Sequence, residues 1–167
     1  LTESYDKAIA DLAAKLEGVE PARVYLGGNS AFLSTAGPAM FQDLLIRNAG
    51  AENVASEITD TYWATVSYEQ LLAWNPDAII LAPQAEYTVD DVLNDPALAD
   101  LDAVKNGKVY AMPNVIESWD SPIPSSYLGS IWMASVLYPD AVSTEDYTKA
   151  CVDFYQQFYG FDASSVL

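Results

Sequence analysis

The sequence contains no histidine and only one cysteine, Cys151. Histidine is the commonest general base and the commonest metal ligand in proteins, and Ser-His and Cys-His nucleophiles require one. We therefore exclude catalytic sites of those two kinds within this chain. Cys151 stands among apolar residues of a helical pattern, which predicts a buried, unreactive thiol without a disulfide.

Basic residues are also scarce. The chain has 7 Lys and Arg against 24 Asp and Glu, for a formal net charge of -17. Binding DNA or RNA needs a basic face that neutralises phosphates, so we expect no nucleic-acid partner. The same acidity disfavours anionic membranes and suits a basic partner surface or a ligand that is neutral or cationic.

Long hydrophobic runs are missing too, since no apolar stretch approaches the ~20 residues that cross a bilayer. The chain starts Leu-Thr-Glu-Ser-Tyr, which is neither a signal peptide nor a natural initiator, so we expect further sequence ahead of Leu1. The 167 residues, 51% of them hydrophobic, predict one domain with one contiguous core.

Segments with helical and extended patterns alternate along the chain. Apolar spacing predicts helices at 4–17, from Pro38 to Gly50, and at 67–74, 90–94, 125–138 and 144–159. Short β-rich runs predict strands at 23–27, 53–55, 78–82 and 108–112. This alternation predicts an α/β fold, a three-layer lobe with a mainly parallel central sheet flanked by helices.

Four loops follow the predicted strands and should share one rim, because ligands of open parallel sheets bind outside the carboxyl ends of the strands. The loops are 28–37, 56–66, 83–89 and 113–123. They carry large aromatic side chains, namely Phe32, Tyr62, Trp63, Tyr87 and Trp119. Any one of these rings is as apt to pack inward as to touch a ligand, but the set predicts a rim for a bulky ligand.

Three further motifs bear on possible chemistry. Gly27 and Gly28 do not fit a dinucleotide or Walker fingerprint, so they predict a tight turn and no nucleotide site. Ser67 is predicted to cap the following helix, with Glu69 in the first turn as an outward acid at the crevice edge. The acids Glu117 and Asp120 lack the spacing of a calcium loop, which favours solvated loop charges and no metal site.

The stretch 62–81 (YWATVSYEQLLAWNPDAIIL) resembles a signature of the class III substrate-binding proteins of ABC importers, which carry ferric siderophores, haem and cobalamin. The surroundings agree in order. Residues 49–55 (AGAENVA) and 103–110 (AVKNGKVY) resemble family segments, and the residues from Trp119 to Pro122 resemble the loop before the family's penultimate helix.

The resemblance implies two α/β lobes joined by one long helix, with the ligand between the lobes. Residues 1–18 would be the end of that helix and 19–167 the carboxyl-terminal lobe, with the amino-terminal lobe absent from this sequence. Glu69 matches the glutamate that docks this lobe onto the permease. Trp63 and Trp119 match positions of ligand-facing aromatics, and Ser30 and Phe32 are weaker matches.

The resemblance also limits the ligand. Relatives that bind bare zinc or manganese use His, and receptors for anionic siderophores bring Arg or Lys, whereas the rim loops here contain none of these. We therefore expect the ligand to be an iron chelate (a neutral or hydroxamate siderophore, or haem) or a corrinoid. We expect the protein to bind it without a resident cofactor and without catalysis. Its expected location is outside the cytoplasm, in a periplasm or on the cell surface as a lipoprotein. Two alternatives stay open: a small α/β hydrolase-like enzyme using rim carboxylates such as Glu117 and Asp120, or a protein-contact domain with this fold.

Overall fold

The computed structural model describes residues 2–167, in which helices and strands alternate. The helices are α1 (Thr2–Lys15), α2 (Phe41–Asn48), α3 (Tyr68–Trp74), α4 (Val89–Leu93), α5 (Asp102–Lys105), α6 (Tyr127–Leu137) and α7 (Thr144–Tyr159). The strands are β1 (Arg23–Gly27), β2 (Ser34–Ala36), β3 (Glu52–Asn53), β4 (Trp63–Thr65), β5 (Ala78–Leu81) and β6 (Val109–Ala111). A short 3₁₀ turn, Ala163–Ser165, follows α7.

The central sheet has the strand order β3-β1-β5-β6, and every neighbouring pair in it is parallel. Its two middle strands are apolar and buried along most of their length, as expected for strands covered on both faces. Val24 lies opposite Ala78, and Ile79 lies opposite Val109. The predicted parallel sheet is confirmed.

Alternating side chains of the strands pack into two separate hydrophobic clusters, one on each face of the sheet, so the prediction of one contiguous core is wrong. Val24, Leu26 and Ile80 pack with α1, α2, α6 and α7 on one face of the sheet. Tyr25 and Ile79 point to the other face, where they pack with α3, α4 and α5. Successive residues of a strand face opposite sides, so one apolar run serves both layers of helices. The predicted three-layer lobe is therefore confirmed.

Helix ends follow local sequence signals. The Ser67 hydroxyl accepts a hydrogen bond from the Gln70 backbone N–H at 3.1 Å and caps α3, as predicted. Gly50, which follows α2, has φ of +73°, a conformation that favours glycine and stops the helix. The observed bounds of α7 are those of the predicted helix 144–159.

A second, two-stranded sheet stands where loops were predicted. Strands β2 and β4 pair antiparallel, with Thr35 opposite Ala64, inside the segments 28–37 and 56–66. Each strand has only three residues, too few for an alternating pattern to be visible in the sequence. The four residues of α5 were missed for the same reason. Within residues 2–167, no helix combines the length and apolarity needed to cross a membrane.

Candidate functional site

Contacts between loops join the four predicted rim segments into one continuous edge. The Asn29 side-chain amide donates to the Pro83 carbonyl, and the Glu86 N–H donates to the Asn29 carbonyl at 2.9 Å. The Gln84 amide donates to the Ser118 hydroxyl at 3.3 Å. Together with the β2–β4 ladder, these bonds place all four loops at the carboxyl end of the central sheet. The prediction that these four loops share one edge is confirmed, and a bulky ligand at that edge stays a prediction.

Two glycines at the end of β1 let aromatic rings lie directly on the backbone. A Cβ atom on Gly27 would stand 2.6 Å from the Tyr87 Oη and 3.1 Å from Phe32 Cδ2. A Cβ atom on Gly28 would stand 3.2 Å from Trp63 Cζ3. A Cβ atom on Gly27 would overlap the Tyr87 hydroxyl and one on Gly28 would crowd the Trp63 ring, so these two glycines allow the rings to lie close to the backbone.

Phe32 and Tyr87 hold the rim together from within. Their rings meet edge to face with centroids 5.7 Å apart, and Phe32 meets Tyr25 in the same way at 5.5 Å. The Tyr87 hydroxyl donates to the Gly28 carbonyl at 2.6 Å, and the Tyr25 hydroxyl donates to the Phe32 carbonyl at 2.7 Å. Burial raises the pKa of both tyrosines, so their hydroxyls stay protonated donors.

Three of the predicted ligand contacts are open to solvent at this edge. Tyr62 is 68% exposed, Ser30 is exposed and Trp63 is half-buried. Trp63 belongs to β4, where it pairs with Ala36, so the antiparallel ladder fixes its backbone. These side chains can touch a ligand without any change in the core. Phe32 and Tyr87 are half-buried behind them, and their contact with a ligand stays a prediction.

Trp119 does not face the rim, which corrects the prediction that it contacts a ligand. It is only 2% exposed, and its indole N–H donates to the Tyr155 hydroxyl at 3.1 Å. Its ring meets Tyr147 edge to face, with centroids 6.0 Å apart. A buried indole needs a partner for its N–H, and α7 supplies one beneath the loop.

Glu117 is engaged by three hydroxyl groups. It accepts hydrogen bonds from Ser125 at 2.5 Å, Tyr155 at 3.0 Å and Tyr159 at 3.1 Å. Burial raises the pKa of Tyr155 to about 12, which keeps that phenol a donor. The carboxylate therefore ties the β6–α6 loop to α7. It is not the solvated loop charge that the sequence predicts.

Asp120 is also unlike a solvated loop acid, since it is only 7% exposed. Its backbone carbonyl accepts a bond from the Gln42 side-chain amide at 3.0 Å, which connects the loop to the start of α2. Burial raises the pKa of the Asp120 carboxyl, and no Lys or Arg of the described chain pairs with it. Among residues 2–167, no three acidic or cysteine side chains gather as ligands for a bare metal ion.

A buried polar network that sequence reasoning missed supports the rim from below. The Asn53 amide donates to the Asp43 carboxylate and to the Ala36 carbonyl, each at 3.0 Å. The Arg47 Nε donates to the same carboxylate at 2.8 Å. Asn53 thus joins β3, α2 and β2. The only signal in the sequence is an asparagine inside an apolar segment.

Glu69 lies at the edge of the rim with a fully exposed carboxylate. The Val66 N–H donates to the Leu33 carbonyl at 2.9 Å, so the start of α3 is attached to the first rim loop. Hydrogen bonds from its own backbone N–H and from the Ser67 side chain lower the pKa of Glu69. The side chain is therefore ionised throughout the physiological pH range and free to meet a cation from outside.

The sequence matches the family model described as periplasmic binding protein over residues 1–116. It is 34% identical over 154 residues to the molybdate-binding protein MolA of Haemophilus influenzae, covering 92% of this chain and 43% of that protein. The chain thus spans less than half the length of this curated relative.

Solved structures agree with this match. MolA bound to molybdate superposes with a TM-score of 0.78 at 33% identity, covering 96% of this chain and 51% of that one. A periplasmic solute binding protein from Veillonella parvula gives a TM-score of 0.82 at 27% identity, covering 96% and 50%. CeuE of Helicobacter pylori gives 0.85 at 22% identity, covering 97% and 52%, and supports the fold alone. With this match and this fold, the chain belongs to the class III periplasmic binding proteins.

Proposed function

We propose that this chain is the carboxyl-terminal lobe of the solute-binding protein of an ABC importer. Residues 1–18 would end the helix between the lobes, 19–167 would form the lobe, and a second lobe would close the cleft from the other side. The coverage of about half of each solved relative supports this division. The protein would act outside the cytoplasm, in a periplasm or held by a lipid anchor.

The open part of the rim would contact the ligand. Tyr62 and Trp63 offer large apolar faces to a ligand, Ser30 in the first rim loop offers an exposed hydroxyl, and Phe32 and Tyr87 are half-buried. The four rim loops contain no Lys or Arg. Flat aromatic contact without cationic side chains suits an iron chelate such as a siderophore or haem, or a corrinoid. The pair formed by the exposed Tyr62 and the half-buried Trp63 is the single observation that carries this ligand class.

An oxyanion is the second candidate ligand, because MolA binds molybdate and is 34% identical to this chain. Without a basic side chain at the rim, this lobe would have to hold an anion through backbone N–H groups and hydroxyls such as that of Ser30. The rim acids, among them Asp60 and Glu86, oppose a bare anion.

Glu69 would dock the loaded protein onto the permease. Its carboxylate is exposed, ionised and located at the edge of the cleft, where a basic pocket can reach it. Charged groups at the border of an interface mainly raise the association rate and fix orientation. Glu69 is therefore assigned to transport and not to ligand binding.

The rival enzyme hypothesis finds little support at the rim. Glu117 already accepts three hydroxyl groups, and Asp120 is buried against α2. A general acid or base needs to reach its substrate within hydrogen-bond distance. Glu117 could do so only by giving up its bonds from three hydroxyl groups, and the Asp120 side chain is only 7% exposed. A domain that only contacts other proteins is the remaining alternative, and it predicts no small ligand.

A ligand panel tests the proposal. The full-length protein is titrated with ferrichrome, haemin, cyanocobalamin and sodium molybdate, and binding is followed by calorimetry and by the shift in Tm. We expect one of the first three to bind and to lose affinity in the variant Trp63→Ala. Binding of molybdate alone would move the assignment to the oxyanion class. Failure of all four would overturn the ligand proposal.

A charge reversal tests docking separately. Glu69→Lys should abolish uptake of the ligand found in the panel while leaving its affinity for the protein unchanged. Glu145→Lys is the matched control, because Glu145 is also an exposed acid in the first turn of a helix but belongs to α7 on the opposite face of the sheet. Uptake that survives Glu69→Lys would remove Glu69 from the docking surface.

A further inference from the structure

One side of the lobe carries many acidic residues and few basic ones, which include Arg23, bonded to the end of α3, and Lys105, the last residue of α5. No Lys or Arg occurs between Arg47 and Lys105, a segment that supplies α3, α4 and most of α5. The acids within it are Glu52, Glu57, Asp60, Glu69, Asp77, Glu86, Asp90, Asp91, Asp95, Asp100 and Asp102. The layer of helices on this face of the sheet therefore presents a strongly negative surface.

Helix α3 turns two large apolar side chains toward solvent within this surface. Its inner face is formed by Leu71 and Trp74, which are buried in the core. Tyr68 and Leu72 lie on the outer face, and each is 37% exposed. At about 100° per residue, Leu72 falls between Tyr68 and Glu69 around the helix axis, so the three side chains form one continuous patch.

Tyr68, the aromatic residue of this patch, is already held in place in the unbound protein. The Tyr68 hydroxyl donates to the Asp95 carboxylate at 3.0 Å, and that carboxylate also accepts the Ala97 N–H at 2.9 Å. At the other end of α3, the Arg23 guanidinium donates to the Trp74 carbonyl at 2.7 Å. A side chain fixed in advance loses less conformational entropy on association, which favours Tyr68 as an interface anchor.

The negative charge around this patch indicates what kind of partner can bind it. A second copy of this chain, related by a two-fold axis, would bring the same negative surfaces together. An anionic membrane surface would be repelled in the same way. A protein surface that is basic around an apolar centre complements both features, the charge of the layer and the two exposed side chains.

We propose that Tyr68, Glu69 and Leu72 form one docking patch for the permease, with Tyr68 and Leu72 as apolar contacts beside the Glu69 ion pair. The proposal rests on the proposed function, because Glu69 is the residue assigned to docking there. It adds that apolar contact, and not charge alone, holds this lobe on its partner.

Binding of the full-length protein to the importer in lipid nanodiscs, with no solute added, tests the patch. Leu72→Gln and Tyr68→Gln should each weaken binding by about threefold to tenfold, with an unchanged dependence on salt. Glu69→Gln should weaken binding at low salt and reduce the salt dependence, because it removes a charge pair. Val166→Ala is the control, since Val166 is 43% exposed and follows α7, beyond the opposite face of the sheet.

The outcomes separate the patch from the docking role of Glu69. If both apolar variants bind like the parent protein while Glu69→Gln binds more weakly, the apolar patch is overturned and the docking role of Glu69 stands. If none of the three variants affects binding, both are overturned. A loss in Val166→Ala equal to that in Leu72→Gln would also contradict the patch. Unchanged Tm values in the four variants exclude unfolding as the cause.

Discussion

The Tyr155 hydroxyl stands between Trp119 and Glu117, accepting the indole N–H at 3.1 Å and donating to the carboxylate at 3.0 Å. This chain of hydrogen bonds connects helix α7 to the loop between β6 and α6. It explains why Trp119, an aromatic residue in a rim loop, lies inside the core. Removing the Tyr155 hydroxyl would leave the Trp119 indole N–H without its acceptor, whereas Glu117 would keep its bonds from Ser125 and Tyr159.

Tyr155→Phe should therefore destabilise the protein by about 1–3 kcal/mol, because a buried indole N–H loses its acceptor. The free energy of unfolding from urea titration measures this. Tyr159→Phe is the control, since the Tyr159 hydroxyl donates to the same carboxylate at 3.1 Å from an exposed position. A loss in Tyr159→Phe as large as that in Tyr155→Phe would contradict the role of Trp119 in this network.

Gly27→Ala should destabilise the rim by about 1–3 kcal/mol, because the new Cβ would overlap the Tyr87 hydroxyl. Tyr87→Phe removes that oxygen and its bond to the Gly28 carbonyl. The double variant should be more stable than the sum of the single effects predicts, since the overlap is then relieved. Urea denaturation of all four proteins completes the cycle, and simple additivity would show that the two residues do not touch.

Asp120→Asn should raise the free energy of unfolding at about pH 7 and change it little at about pH 3.5. Burial raises the pKa of Asp120, so the folded state favours the protonated acid and is destabilised once the group ionises. The neutral amide removes that penalty. Urea denaturation at a series of pH values measures the difference, and a stabilisation independent of pH would contradict the burial argument.

Asp146→Asn should change the free energy of unfolding in the opposite direction, because folding lowers the pKa of Asp146 whereas it raises that of Asp120. Lys15, at 2.6 Å, and the Ser143 backbone N–H hold the pKa of Asp146 at about 2. The folded state therefore favours the ionised acid, and its contribution is present above the ordinary Asp pKa and lost as the pH falls toward 2. The variant should be less stable than the parent at about pH 7, with the difference shrinking in acid. If the difference in the free energy of unfolding did not change with pH, the effect would come from packing and not from ionisation of Asp146.

Acrylamide quenching distinguishes Trp63 from the other tryptophans. Trp63 is half-buried at the rim, whereas Trp74, Trp119 and Trp132 are buried. Trp63→Phe should lower the Stern–Volmer constant of the full-length protein because it removes an accessible fluorophore. Trp119→Phe should raise it because it removes a shielded one. Equal changes in the two variants would contradict the burial of Trp119.

The central sheet could be predicted because its signals are local. Strands β1 and β5 are short apolar runs, and α7 is framed by Ser143 before it and Gly160 after it, so each element appears within a few residues of sequence. The order of strands and helices then leaves a parallel sheet as the simplest arrangement. The rim followed from the same topology, since the loops after parallel strands share one edge.

The longer helices, the central strands, the three-layer lobe and the location of the rim follow from the sequence alone, because periods of two and of about 3.6 residues recur along the chain. The short elements β2, β4 and α5 leave no such pattern. Which rim residues point outward depends on tertiary packing. Glu117 bonds to side chains 8, 38 and 42 residues away, and β2 pairs with β4 although α2 and β3 lie between them in the sequence. Contacts at such separations leave no periodic trace, so the burial of Trp119 and the exposure of Tyr62 and Trp63 depend on packing.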